Sequence, residues 1–150
     1  VAVFEEHRGC IGCMVLPSLV TSPFLRLHHV AIICSDYTQS RAFYVQTLGL
    51  RIVSESYRAD RDSHKLNLAL PDGAELELFS FPSPPERLTH PEACGLRHLA
   101  LAVADLDGAM EGLVAKGVVF EPARVDGLTG QRFTFFKDPD GLPIELYEVK

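Results

Sequence analysis

A histidine and a glutamate occur twice in this chain at matching places. His29 lies in Leu27-His28-His29-Val30-Ala31-Ile32 and His98 in Leu96-Arg97-His98-Leu99-Ala100-Leu101. Each copy later reaches a Glu-Leu pair, Glu77-Leu78 and Glu145-Leu146. His98 follows His29 by 69 positions and Glu145 follows Glu77 by 68. Two His…Glu halves read as one divalent metal centre of two imidazoles and two carboxylates. Such a donor set suits nickel, zinc, cobalt, iron or manganese. Four protein ligands could close a structural site, but structural zinc sites are thiolate-rich. An octahedral ion would keep two positions for waters or for two oxygens of a substrate. Two carboxylates in an apolar cleft lose hydration and repel each other, and a cation relieves both costs.

The elements that must carry these residues also repeat. Arg26 to Cys34 reads as a strand, and Ser35-Asp36 offers a helix N-cap. Residues 37–47 have helical apolar spacing, and Gly49 is placed to end that helix. Strands follow at Arg51–Tyr57, Leu66–Leu70 and Glu75–Phe81, with a polar connection over 58–65 and a Pro71-Asp72-Gly73 turn. Pro82 to Pro91 holds four prolines and joins the copies. The second copy repeats the order: strand 96–103, a helix capped by Asp105 and ended by Gly117, then strands over 118–121, 131–136 and 142–148. Ala31 matches Ala100, Asp36 matches Asp105, Val45 matches Val114 and Gly49 matches Gly117. The expected fold is therefore α+β: two tandem βαβββ modules forming a curved eight-stranded mixed sheet around a metal-binding cleft. Module 1 spans about 25–81, a linker 82–94, and module 2 about 95–150, all in one domain.

Strand side chains alternate faces. That parity puts His29, Ala31 and Ile33 on one face and Val30 and Ile32 on the other. It likewise places His98, Glu77, Phe79, Glu145 and Tyr147 on the concave face, with Leu76, Leu78, Ile144 and Leu146 under the helices.

Composition narrows the function classes. The chain has 150 residues, a net charge of −6 and no basic run, which argues against nucleic acid as a partner. The apolar stretch Ile11–Val20 is too short for a membrane span and is broken by Pro17. Glu5 and Glu6 stand where an export signal carries positive charge. A cytoplasmic protein with a poorly constrained arm over residues 1–24 is expected. Cys10-Ile-Gly-Cys13 has no second CxxC to complete a zinc site and reads as an incidental pair. Cys34 and Cys94 border apolar runs and are expected to be buried thiols.

With these residues in place, the chain resembles the vicinal oxygen chelate superfamily of glyoxalase I, fosfomycin-resistance enzymes and extradiol dioxygenases, which also holds the bleomycin-resistance proteins. The resemblance covers roughly residues 25–150. Its motifs are Leu27–Ile32, Leu76-Glu77-Leu78-Phe79, Gly95–Ala100 and Asp138-Pro139-Asp140-Gly141-Leu142-Pro143-Ile144-Glu145-Leu146. A small bacterial glyoxalase-like branch is most similar, through Arg61-Asp62-Ser63, Pro84–Arg87 and Arg132–Phe136 as well.

The resemblance implies a ligand set of His29, Glu77, His98 and Glu145. Glutamate at position 77 matches glyoxalase I, whereas the fosfomycin enzymes and extradiol dioxygenases use a His, His, Glu set. It implies a metal-dependent lyase or isomerase in which Glu145 or Glu77 shuttles a proton next to a carbonyl and the metal stabilises an enediolate. It also implies a homodimer, with each cleft completed by two modules of one chain or of two. Two positions depart from glyoxalase I. Ile33 stands where that enzyme has an arginine for glutathione's carboxylate, and Phe81 where it has asparagine. A smaller or more apolar substrate than a glutathione adduct is expected. Ile33, Phe79, Phe81 and Tyr147 would line the pocket, and Arg61, Lys65, Arg97 or Arg132 could hold an anionic group. The rival readings are a metal-dependent thiol transferase of the fosfomycin-resistance type and a non-catalytic small-molecule binding protein on the same scaffold.

Overall fold

The computed structural model describes residues 22–150. Cys10, Cys13 and most of the expected N-terminal arm lie outside the described residues. The elements run β1 (His29–Cys34), α1 (Tyr37–Ala42), β2 (Arg51–Arg58), β3 (Ser63–Ala69), β4 (Glu75–Ser80), β5 (Leu99–Val103), α2 (Leu106–Val114), β6 (Arg124–Val125), β7 (Arg132–Lys137) and β8 (Pro143–Glu148). This is βαβββ twice, as the repeat predicts. The hydrogen-bond ladders close within each module. They give two four-stranded mixed sheets, ordered β1-β4-β3-β2 and β5-β8-β7-β6. In both, the first strand of the module runs parallel to the last, and the remaining pairs are antiparallel.

Both helices start where a carboxylate can accept an orphan N–H. Asp36 accepts from the Gln39 N–H at 2.9 Å and Asp105 from the Gly108 N–H at 3.1 Å. Helix α1 is shorter than expected. It passes into a π-helical turn over Phe43–Thr47, and Gly49 follows at φ 75°. That turn delivers Tyr44, which is fully buried.

Register sets the two faces of each sheet. Ile32, Leu78 and Leu66 form one row across β1, β4 and β3, and Val30, Leu76 and Leu68 form the next. In the second sheet, Leu101, Leu146 and Thr134 share a row across β5, β8 and β7. These rows meet in one hydrophobic core with Tyr44, Leu106, Phe136 and Ile144. The two modules thus bury their helix-side faces together. Phe43 touches Phe136 with ring centres 6.3 Å apart, and the Tyr44 hydroxyl donates to Asp138 at 2.9 Å. Ser35 donates its N–H and its hydroxyl to Asp140, and Lys116 reaches the Thr47 carbonyl at 2.9 Å.

Several boundaries differ from the sequence expectation. Ser63, His64 and Lys65 belong to β3, because the polar stretch turns sharply through a 3-10 turn at Ala59–Arg61 and re-enters the sheet at once. Residues 118–121 form no strand. Glu121 donates one backbone bond to Phe135, and the ladder with β7 is made by Arg124–Val125 instead. The first strands of both modules begin later than expected, at His29 and Leu99. Cys34 is buried, but Cys94 is exposed, since it lies in the linker between β4 and β5 where no sheet covers it. Among the described residues, no helix is long and apolar enough to cross a membrane.

Candidate metal centre

The face opposite the core carries the candidate ligands. Ala31, Glu77 and Asn67 form one row on the first sheet, and Ala100, Glu145 and Phe135 form the matching row on the second. His29 opens β1, and His98 directly precedes β5. The His29 Nε2 atom lies 3.9 Å from Glu77 Oε2, and the His98 Nε2 atom lies 3.2 Å from Glu145 Oε2. Each pair therefore converges as the repeat predicts. The four do not converge together: among the described residues, no group of three or more His, Cys, Asp or Glu side chains is placed to share an ion. The reason is the packing. Each sheet turns its leucine rows into the shared core, so the two ligand faces point outward. Ala31, Ile33, Ala100 and Ala102 on those faces are exposed.

The donors suit a divalent ion, as two halves. Each half supplies one imidazole nitrogen and one carboxylate beside a small alanine. Outer contacts orient both rings, as ligating histidines require. His28 Nδ1 lies 2.9 Å from His29 Nδ1, which occupies that side of His29 and leaves Nε2 facing Glu77. Phe135 meets the His98 ring edge to face at 5.3 Å. A cavity of about 200 Å³, lined by Arg97, His98, Arg124, Phe135 and Lys137 among others, opens beside His98. A larger cavity of about 460 Å³ lies where the π-helical turn meets the segment after α2 and touches neither ligand pair.

The two carboxylates are held differently. Glu77 takes Lys65 Nζ at 2.8 Å and Asn67 Nδ2 at 2.9 Å, and Lys65 holds its carboxyl below the usual carboxylate range. Glu145 has His98 as its ion-pair partner and no hydrogen bond from a neighbouring side chain among the described residues.

The expected pocket residues divide. Ile33, Phe79, Phe81, Lys65 and Tyr147 lie on or beside the ligand faces. Ile33 is 57% exposed, and Phe79 stacks with Phe81 at 6.2 Å. Tyr147 stacks over Phe133 and donates to Asp126 at 3.1 Å. Arg132 belongs elsewhere, because its β7 neighbour Phe133 takes the ligand face. Arg132 therefore turns toward α2 and grips Asp107 at 2.7 and 2.9 Å. Arg61 sits in the 3-10 turn beside Asp60, 3.8 Å away, and Arg97 pairs with Glu92 at 3.5 Å. Sequence reasoning passed over His28 and Arg58. The His28-His29 doublet was a visible signal for the first. For the second there was none, since Arg58 stood at the edge of a stretch read as loop.

The family model described as glyoxalase/bleomycin resistance protein/dioxygenase superfamily matches residues 26–146. The chain belongs to that superfamily. It is 60% identical over 122 residues to the uncharacterized protein YwkD of Bacillus subtilis (strain 168), covering 81% of this chain and 95% of that one. It is 30% identical over 144 residues to a 2-epi-5-epi-valiolone epimerase of Actinomyces sp, covering 82% and 79%. Among solved structures, the glyoxalase family protein from Enterococcus faecalis matches with a TM-score of 0.79 at 45% identity, covering 83% of this chain and 98% of that one. The superfamily accounts for the paired βαβββ modules.

Proposed function

We propose that this protein is a cytoplasmic, divalent-metal-dependent lyase or isomerase that moves a proton beside a carbonyl of a small oxygenated substrate. The observation that carries this reading is the matched pair of outward-facing half-sites, His29 with Glu77 and His98 with Glu145. Two donors alone make a poor divalent site, since metal centres of this type use three or four protein ligands. A second copy supplies the missing half. In a homodimer, module 1 of one copy faces module 2 of the other, and two equivalent centres form. The exposed Ala31, Ile33, Ala100 and Ala102 would then line closed clefts.

A bound nickel, zinc or related ion would polarise two oxygens of the substrate and so acidify the adjacent C–H. The chain's own residues divide the remaining work. Glu77, pinned by Lys65 and Asn67, is a fixed ligand. Glu145, free of such partners, takes the proton from the carbon beside the carbonyl and returns it to the neighbouring one. Ile33 and Phe81 offer no hydrogen bond to a glutathione carboxylate, which supports a different thiol adduct or a simple hydroxy-ketone. The epimerase relative supports proton transfer over thiol addition to an epoxide, since inverting a centre beside a carbonyl also begins by removing the proton there.

Metal analysis followed by a screen of methylglyoxal with several thiols tests the reading. Metal-dependent turnover that is lost in Glu145→Gln is expected. Stoichiometric metal with solvent deuterium entering a hydroxy-ketone would support the isomerase form. No bound metal, or no proton exchange with any carbonyl substrate, would overturn it.

A further inference from the structure

The ligand face of the first sheet holds a cation that the proton-transfer chemistry does not use. Arg58 ends β2 opposite Ser63. Its guanidinium carbon sits 4.9 Å from the Phe79 ring centre and 5.8 Å from that of Phe81, over two stacked rings. Its Nη2 donates to the hydroxyl of Ser63 at 2.7 Å, and Ser63 is fully buried. Its Nε is buried with no acceptor. Arg41, Arg61, Arg97, Arg124 and Arg132 each hold a carboxylate. Among the described residues, Arg58 holds none. A planar guanidinium fixed on aromatic faces, with most of its donors unspent, is prepared for a bidentate oxyanion.

Position ties this cation to the candidate centre. Phe79 lies two residues beyond Glu77 on β4, roughly 7 Å along the strand. Lys65 bridges that gap, with Nζ 2.8 Å from Glu77 and 5.4 Å from the Phe79 ring. Lys65 is neutralised by Glu77, whereas Arg58 holds no carboxylate and lies against the two rings beside it.

We propose that Arg58 receives a carboxylate or phosphate of the substrate, on the far side of Phe79 from the reacting oxygens. This deepens the proposed function and rests on its reading of the ligand face as the substrate cleft. The class of substrate is then an anionic hydroxy- or oxo-compound whose charge stands several bonds from its reacting carbonyl. On the second sheet the matching cation over aromatic rings, Arg124 over Phe133 and Phe135, already holds Glu121.

The test is a titration of the metal-free full chain with inorganic phosphate and, separately, with acetate, followed by the Arg58 Nε–Hε resonance and the ring signals of Phe79 and Phe81. A saturable shift at Arg58 with at least one anion is expected, with Arg41 and Arg132 unmoved. The two arms distinguish phosphate from carboxylate. Arg58→Gln should abolish the ring shifts and Arg58→Lys should weaken binding at least tenfold, with the backbone spectrum of each confirming the fold. Linear shifts common to all arginines, or ring shifts unchanged in both variants, would overturn the proposal. Because no metal is present, failure here leaves the metal reading standing. A positive titration in a protein that binds no metal overturns the metal reading alone.

Discussion

Glu77 and Glu145 occupy equivalent places in the two modules and differ only in their neighbours, so their substitutions should separate. Glu145→Gln is expected to lower kcat by about 10²–10⁴-fold, the usual worth of a positioned proton carrier, with little change in melting temperature. Glu77→Gln should instead deplete the metal and also weaken folding, since it removes the negative charge that pairs with Lys65. Steady-state kinetics beside metal analysis of both variants checks this. Equal losses of kcat at full metal content would contradict the division of roles. Both glutamates and both histidines were legible in the sequence, because a repeat exposes matched residues and strand parity assigns their face. Arg58 was not legible. Its meaning depends on Phe79, Phe81 and Ser63, which lie on other strands and meet it only through register. Arg132 shows the converse: its position one residue before a ligand-face phenylalanine already turned it to the helix side.

At the scale of elements, the two N-caps and the Asp138 turn carry the testable energetics. Asp36→Ala and Asp105→Ala each remove one charge-assisted bond to a helix N–H and should cost about 1 kcal/mol by chemical denaturation. Asp138 is nearly buried and accepts from Tyr44, Asp140 and Leu142. Burial raises its pKa, against the pull of those donors. A folded-state pKa above the unfolded one means that the native protein binds the proton more tightly. Stability from this group is therefore greatest below the ordinary aspartate range and declines as pH rises through the folded pKa. Asp138→Asn keeps one acceptor oxygen without the charge, so thermal denaturation across the acid range should show a flatter profile than the wild type. Parallel profiles would contradict the assignment. The caps and the Asp138 turn were visible as short local motifs. The π-helical turn after α1 and the pairing of Arg124–Val125 with β7 were not, because tertiary contacts of Tyr44 and Phe133 decide them.

For the whole molecule, the repeat foretold two modules and a close His–Glu pair in each, while the way the modules pack was not written in any local pattern. The leucine rows of both sheets look alike in sequence, and either back could have faced the other or a second copy. The shared core around Tyr44, Leu106, Phe136 and Ile144 shows the backs joined within the chain. On the proposed reading the outward faces are completed by another copy of this chain, which carries the complementary half. A His29→Ala/Glu77→Ala copy lacks the first half of every site, and a His98→Ala/Glu145→Ala copy lacks the second. Each alone should purify without metal. Co-expressed, they should form a mixed dimer in which one of the two centres is whole. The decisive measurement is the metal content of the co-expressed pair. About a quarter of the wild-type metal per chain is expected from random pairing, whereas none, with the wild type fully loaded, would contradict a centre shared between copies.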